Sequence, residues 1–284
     1  MTFLDFAHAH GVEIDPARLT PSRRIRRCGT EDKPRSQNGA YFWDGHRGWV
    51  FRWDADAQVH WYHDPHAPPW TAAEKAQLRE RRRVAQEDQL RRQQRAATHA
   101  QELLLRATPA SHSYLSIKGF PDAEGLVLDD ALLIPMRDVN TNELLGVQSV
   151  RWVEAERRHD KKMTAGMRAK GAVLRLGRSA VESVLVEGSA TGLSVQAALR
   201  MVGLQSAVVV CFSAGNLVHV APQIRGRRIV FADNDASGTG ERAAQATELP
   251  YCMSPVIGED ANDLHRRDGL LAVAKKILEA RMKS

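Results

Sequence analysis

The last hundred residues alternate short apolar runs with amphipathic stretches. The runs are rich in Val, Ile and Ala and predict buried strands, and the stretches between them predict helices. The predicted strands are 183–187, 207–212, 228–233 and 251–257, and the predicted helices are 193–202, 214–222, 240–247 and 270–283. Continuous apolar strands that alternate with helices are typical of a parallel sheet covered on both faces. We therefore expect an α/β domain over residues 181–284.

A different pattern marks residues 1–70. Trp49, Phe51 and Trp53 occupy alternate positions, which is the period of a half-buried strand. Five of the six tryptophans lie between Trp43 and Trp70. We expect a small antiparallel β-module here, preceded by a short helix near residues 3–10. Its rings either fill the core of the module or offer a surface on which single-stranded bases stack, and we favour the core for most of them.

Two further segments separate these regions. Thr71 and Glu74 have the spacing of a capping box, and residues 71–108 contain no Gly and only sparse apolar positions before 103, which predicts a long linker helix, polar nearly all round. Residues 109–180 predict a mixed α+β subdomain: a helix over 114–119 ending at a glycine, then strands 130–136 and 146–152 in a hairpin with its tip at 140–142.

Composition excludes several classes of protein. The chain has 284 residues, of which 43% are apolar and 26% charged, close to the globular average. No apolar run reaches membrane-spanning length and no signal peptide is evident, so a reducing cytoplasm is the expected compartment. The three cysteines are too few for a disulfide framework or a four-cysteine zinc site. His60 and His63 would face opposite sides of a strand, so zinc at His60, His63 and His66 is not expected.

The net charge of +6 is unevenly distributed. Residues 71–108 carry +4, residues 109–150 carry −4 and residues 151–180 carry +6, while both ends of the chain are neutral. The last of these blocks combines basic side chains with glycines and directly precedes the predicted parallel sheet, which favours contact with phosphates. The candidates are Lys161, Lys162, Arg168 and Lys170, with Arg137 behind them. They would hold either a template backbone or a nucleotide triphosphate.

Carboxylates follow two of the predicted strands. Glu187 ends the first strand, and Asp233 and Asp235 end the third, at the edge where ligands bind in open α/β sheets. Carboxylates brought together there repel one another unless a hard divalent cation such as Mg²⁺ neutralises them. The Asp-x-Asp pair alone would also fit a turn that caps a helix.

These motifs resemble a TOPRIM domain, and most closely the plasmid- and phage-type DNA primases of the bacterial class. The resemblance rests on Val-Glu-Gly at 186–188, Ala-Asp-Asn-Asp-Ala-Ser-Gly-Thr-Gly at 232–240, Gly-Glu-Asp-Ala-Asn-Asp-Leu-His at 258–265 and Phe-Ser-Ala-Gly-Asn-Leu at 212–217. It extends upstream through 112–119, 132–138 and 161–177. Residues 25–70 are similar to the module that takes the place of the zinc ribbon, here without its cysteines.

The resemblance implies an enzyme that makes short RNA primers on single-stranded DNA, in which a primer 3′-hydroxyl attacks the α-phosphate of a ribonucleoside triphosphate. The host would be a phage, a plasmid or another mobile element. The family's metal-binding acids fall on Glu187, Asp233 and Asp235, with Asp260 as a further acid, and Mg²⁺ or Mn²⁺ is the implied cofactor. Template contacts are expected at Arg23, Arg24, Arg26 and Arg27. A replicative helicase would be a separate chain, and no membrane partner is expected.

Two positions depart from that pattern. Thr191 stands where many such primases have a second acid, and Asn262 stands where the Gly-x-Asp-x-Asp motif has its last acid. Three alternatives remain open. A metal-dependent TOPRIM nuclease usually accompanies an ATPase, for which no Walker A loop is present. A topoisomerase needs a nucleophilic tyrosine, which has no convincing candidate. A non-catalytic DNA-binding replication protein is favoured by Thr191 and Asn262.

Overall fold

The tryptophan-rich segment folds into an antiparallel sheet. The computed structural model describes residues 1–53, 58–64, 66, 67, 69, 71–177 and 181–282, with the side chain of Arg23 and all of Trp70 outside this set. The elements of the first sheet are α1 (Phe3–Ala9), β1 (Val12–Glu13), a 3-10 turn (Pro16–Arg18), β2 (Ser22–Thr30), β3 (Gly39–Trp43), β4 (Arg47–Arg52) and β5 (Val59–His63). The strands pair in chain order, always antiparallel. This sheet lies in the first of two compact units, residues 1–81.

The aromatic rings of this sheet are divided between its two faces. Phe3 and Ala7 of α1 cover one face, where they pack with Tyr41 and Val50. Trp49 and Phe51 flank Val50 in the strand, and Val50 is fully buried against α1. Their side chains, and that of Trp53, therefore lie on the other side of the sheet. The expectation that most rings fill the core is wrong for Trp53 and Trp61, which are exposed. Phe42, Trp49 and Phe51 are half-buried on the side of the sheet away from α1.

The histidines of β5 follow the strand period. His60 pairs with the core residue Val50 and stacks on His10 at 4.0 Å between ring centroids, whereas His63 is exposed on the opposite face. The two rings therefore cannot share one ion on this strand, as the sequence indicates.

The linker helix forms as the capping box predicts. α2 spans Ala72–Arg106, and the Thr71 and Glu74 side chains each accept a hydrogen bond from the other residue's backbone N–H, at 3.2 and 2.9 Å. Its buried residues are Ala96 and Ala100. Ala100 packs in a small apolar cluster with the sheet of the second unit, residues 82–284. Leu103 and Leu104 are partly buried against the same cluster, and most of the remaining side chains of the helix are exposed.

The second unit is built on one mixed sheet. Its elements are β6 (Thr108–Ser111), α3 (Ser113–Ile117), β7 (Glu124–Leu128), β8 (Ala131–Asp138), β9 (Leu144–Val153), a 3-10 turn (Glu154–Glu156), β10 (Arg158–Met163), β11 (Ala172–Leu176), β12 (Glu182–Val186), α4 (Ser189–Met201), β13 (Ala207–Val210), α5 (Ala214–Val220), a 3-10 turn (Ala221–Gln223), β14 (Arg227–Phe231), α6 (Thr239–Ala246), β15 (Tyr251–Cys252), α7 (Ala261–Asp268) and α8 (Leu270–Arg281).

The order of the strands is β10-β9-β8-β11-β13-β12-β14-β15 in the described part of the chain, with β7 also pairing β8, and β6 pairing β7. β13, β12, β14 and β15 are parallel to one another, as expected for a TOPRIM sheet. β11 pairs antiparallel with both β8 and β13. The strands of residues 109–180 and the parallel strands thus share one continuous sheet, and the four-part division of the chain remains a prediction.

The parallel strands are buried on both faces, which explains their uninterrupted apolar sequence. Val184 and Val186 point to the side covered by α4, α7 and α8, where Leu199 and Ile277 pack against them. Leu185 points to the other side, which α5 and α6 cover. This double cover fixes the strand ends from which the candidate site projects.

Two predictions in this region need correction. Only Tyr251–Cys252 of the predicted strand 251–257 pairs with a neighbour, and Pro255, which has no N–H to donate, lies in the loop that follows. The helix α7 was missed, because its sequence is mostly polar. Within the described residues, no helix has the length and apolar character needed to cross a membrane.

Candidate functional site

Two carboxylates project from the same edge of the parallel sheet. β12 and β14 are adjacent, and Val186 pairs with Phe231 at their carboxyl ends. Glu187 directly follows Val186, and Asp233 comes two residues after Phe231. The continuous apolar strands therefore deliver both acids to one end of the sheet, as predicted.

A third element brings Asp260 to this edge. Gly258 N–H donates to the Asn234 carbonyl at 2.6 Å, and Asn234 N–H donates to the Glu259 carbonyl at 3.0 Å. These bonds fasten the segment before α7 to the Asp-x-Asp loop. Asp260 then caps α7, accepting from the N–H groups of residues 262 and 263 at 2.7 and 2.9 Å.

Asp233 is the most perturbed acid of the group. Burial, and then the charges of Asp260, Glu187, Asp235 and Asp263, raise its pKa to about 7. Its Oδ1 is buried and has no hydrogen-bond partner among the described residues. Burial and the charge of Asp235 also raise the pKa of Glu187, against a hydrogen bond from the N–H of Ala214. A site that holds so much unneutralised negative charge favours a cation.

Asp235 behaves differently from Asp233. Its carboxylate accepts from the backbone N–H groups of Ser237, Thr239 and Gly240 at 3.0, 3.1 and 2.7 Å, and from the Ser237 hydroxyl. The Ser237 hydroxyl, followed by the Gly240 N–H, lowers the pKa of Asp235 to about 2. The capping turn that the sequence left open as an alternative therefore describes Asp235. Gly240 is required there, because a Cβ would lie 2.2 Å from the Asp233 carbonyl oxygen.

The fit of a metal ion can be judged from the donor atoms. No three His, Cys, Asp or Glu side chains in the described ranges lie close enough together to hold an ion. The donor set nevertheless consists of carboxylate oxygens, and the buried Oδ1 of Asp233 is unpartnered. Oxygen ligands and several negative charges suit Mg²⁺ or Mn²⁺.

Comparison with known proteins shows which domain the parallel strands β12–β15 belong to. Residues 182–270, which contain all four candidate acids, match the family model of the Toprim domain. These residues form a Toprim domain. A solved structure of the DnaG catalytic core is similar to the chain with a TM-score of 0.37 and 16% identity, over 63% of this chain and 68% of that one. No curated protein matches the chain.

Thr191 and Asn262 are both fully buried in the Toprim domain. Thr191 Oγ1 donates to Oδ2 of Asp260 at 3.1 Å, so it orients a candidate ligand. The Asn262 amide donates to the Lys118 carbonyl at 2.7 Å and to Ser194 Oγ at 2.9 Å. Asn262 therefore joins α7 to α4 and to the end of α3, a role that its position in the motif did not indicate.

We expect Asn262→Asp to destabilise the protein by about 2–4 kcal/mol, because a carboxylate has no N–H to donate and would face the Lys118 carbonyl in a buried site. Urea unfolding without metal measures this loss. The matched control is Asn142→Asp, at an exposed position in the turn between β8 and β9. Equal stability of Asn262→Asp and wild type would show that Asn262 does not hold these elements together.

Asn216 lies in the Ser-Ala-Gly-Asn motif, for which the sequence indicates no particular role. In the structure its side chain bonds three backbone groups. Its side chain accepts from the Gly171 N–H at 2.7 Å and donates to the carbonyls of Ala172 and Cys211 at 2.8 and 2.7 Å. It thereby ties the end of the basic block to the end of β13. Phe212 N–H bonds the Glu187 carbonyl at 2.8 Å, which extends the same support to the acid.

The basic block does not form a single cluster of unpaired charges. Arg168 bonds Asp138 at 2.5 Å, Lys162 bonds Asp160 at 2.9 Å, and Arg137 donates to the Asn142 carbonyl at 3.1 Å. Lys161 and Lys162 lie on the edge strand β10, where no strand was predicted, and Lys170 is exposed in the loop before β11.

Lys161 contacts a side chain that packs near Glu187. Its Nζ lies 5.1 Å from the centroid of the Tyr114 ring. That ring packs in one cluster with Ala190, in the first turn of α4, three residues after Glu187.

Proposed function

We propose that this chain is a DNA primase that synthesises short RNA primers on single-stranded DNA by Mg²⁺-dependent nucleotidyl transfer, for the replication of a phage, plasmid or other mobile element. The observation that carries the proposal is the buried, unpartnered Oδ1 of Asp233 among the acids of a Toprim domain. The motif resemblance around Glu187 and upstream to residue 112 supports the choice of reaction.

The four acids have different roles in this proposal. Asp233 and Glu187 would hold the divalent cation, which supplies positive charge to the phosphates when bound. Asp260 caps α7 through Oδ1 and would offer Oδ2, which Thr191 orients, as a further ligand. Glu187 would accept the proton of the primer 3′-hydroxyl or orient that hydroxyl, and its raised pKa suits a proton acceptor. Asp235 would serve mainly by shaping the loop before α6, and would join the metal ligands if that loop rearranged.

Phosphate contacts are assigned to the basic block. Lys161 and Lys170 are the foremost candidates, because Arg168 and Lys162 are already paired with acids. Arg137, which donates to the Asn142 carbonyl, is a further candidate. The block would hold the template or the nucleotide triphosphate. A separate helicase chain would supply unwinding.

The arginines of β2 are proposed template contacts. Arg24 is exposed, whereas Arg26 donates to the Arg18 carbonyl and to Thr20 at 3.1 Å each. Arg27 lies over the ring of Trp53. Arg23 belongs to the same group on sequence grounds.

We expect Lys→Gln changes at 161, 162 and 170 together to weaken single-strand binding and to reduce its salt slope by about 1.4, because each of the two phosphate contacts assigned to Lys161 and Lys170 accounts for about 0.7 of the slope. Titration of a labelled oligonucleotide at several salt concentrations measures both effects. Lys275→Gln, at an exposed site on α8, is the control. Unaltered affinity and slope in the triple variant would contradict the assignment of this block.

A non-catalytic DNA-binding role is the second candidate, favoured by the capping contacts of Asp235. One incubation separates the possibilities: wild type, single-stranded circular DNA, labelled ribonucleotides and Mg²⁺ or Mn²⁺. Template-dependent short RNA supports the primase. Cleaved template indicates a Toprim nuclease, and binding without either product indicates the non-catalytic role.

A further inference from the structure

The sheet of the first unit presents a row of aromatic rings away from its core. Strand pairing sets Phe42 beside Trp49, and Trp49 beside Trp61. Since neighbouring strands are about 4.7–4.9 Å apart, the three rings form a continuous row across β3, β4 and β5. We call this surface, with Phe51 and Trp53 at its end, the aromatic face.

Two rings of the aromatic face, Trp53 and Trp61, are exposed to solvent, and Phe42, Trp49 and Phe51 are half-buried. Trp61 is 62% exposed and Trp53 is 53% exposed, whereas Val50, on the opposite side of the same sheet, is fully buried. A large ring left in water contributes little to folding, and contiguous exposed apolar surface generally marks a binding site.

The chemistry of this face suits nucleobases. The Arg27 guanidinium lies 3.7 Å from the Trp53 ring centroid. The Phe51 and Trp53 ring centroids are 4.5 Å apart, with the rings in an edge-to-face arrangement. Indole rings and guanidinium planes are the groups on which unpaired bases stack. The outward positions of the strands also include Arg47 and His63, and among the described outward positions of β3, β4 and β5 none is acidic. At one end of the face, Phe42 and Arg47 line a cavity together with Asp44 and Glu74. The part that carries Trp53, Trp61 and Arg27 is aromatic and basic, and it complements a polyanion that carries exposed rings.

We propose that the aromatic face binds single-stranded nucleic acid by base stacking, with Trp61 and Trp53 as the main platforms and Arg27 as the adjoining cation. The site is separate from the acids of the Toprim domain. It deepens the proposed function by naming a surface for the template, yet its binding needs neither metal nor nucleotide.

Fluorescence anisotropy of a labelled oligothymidylate, titrated with the full chain in EDTA, tests the proposal. We expect Trp61→Ala and Trp53→Ala each to raise Kd on the order of tenfold, and Trp61→Phe, which keeps a ring, to recover most of the affinity. The salt slope should stay unchanged in Trp61→Ala, because the indole carries no charge. Trp152→Ala, which removes a 42% exposed indole on β9, is the matched control and should bind as wild type does.

Two results would overturn the proposal: wild-type affinity in both alanine variants, or an equal loss of affinity in Trp152→Ala. A face used only for a protein partner would give the first of these. This binding is measured without metal and without nucleotide, so it does not report on the acids of the Toprim domain. Absence of primer synthesis with intact, Trp61-dependent binding would therefore reject the enzymatic proposal alone.

Discussion

Asp233→Asn should make the metal-free protein more stable than wild type at pH 8, by about 2–4 kcal/mol. The pKa of Asp233 is raised to about 7 by burial and by the neighbouring acids. Each pKa unit corresponds to about 1.4 kcal/mol of difference between native and unfolded states. The charged native carboxylate is therefore a cost, which an uncharged amide of the same shape removes.

The sign of the pH dependence follows from the same shift. Well below the ordinary pKa of 3.8 the carboxyl is protonated in both states and carries no penalty, and the penalty grows as the pH rises from 3.8 toward 7. The advantage of Asp233→Asn should accordingly shrink as the pH falls from 8 to 4. Urea unfolding in EDTA across this range measures it, with exposed Asp122→Asn as the control.

Metal addition should reverse the order of stability of wild type and Asp233→Asn. Mg²⁺ or Mn²⁺ should stabilise wild type by neutralising Asp233 and should have little effect on Asp233→Asn. A variant that is less stable than wild type in EDTA, or a difference that does not change with pH, would show that Asp233 is not held under repulsion.

Glu187→Gln should lower the rate of primer synthesis by about 10²–10⁴-fold while the protein remains folded. The change keeps the shape and burial of the side chain but removes the group proposed to accept the proton of the 3′-hydroxyl. Initial rates with saturating template and nucleotides measure the loss, and circular dichroism checks the fold. Glu241→Gln on α6 is a control outside the group of acids. A rate within twofold of wild type would remove Glu187 from the chemistry.

The positions of Glu187 and Asp233 could be predicted from the strand pattern, whereas Asp260 was indicated only by the resemblance to the Toprim motif. Apolar runs located the ends of β12 and β14, and a parallel sheet necessarily brings those ends together. The direction of each side chain could not be predicted in the same way. Asp233 and Asp235 share one motif, yet one is left unpartnered and the other caps α6, because the outcome depends on N–H groups in the following turn.

Long-range contacts set the remaining limits. Asn262 bonds the carbonyl of Lys118, which is 144 residues away, so its structural role is invisible in the local motif. β11 pairs with β8 and β13 and was not predicted, because its five residues give no clear periodic signal. In the first unit the period-2 pattern located β4 correctly, but only the packing of α1 determines which side of the sheet is buried.

Covalent joining of two ribonucleotides on a single-stranded template tests the central claim most directly. Wild type and Asp233→Ala would be compared at equal concentration with a labelled nucleotide and Mn²⁺, and the products separated by length. We predict short, template-dependent RNA from wild type and none from Asp233→Ala, with oligonucleotide binding retained by both. Equal product from both proteins, or no product from wild type that binds template, would contradict a primase built on these acids.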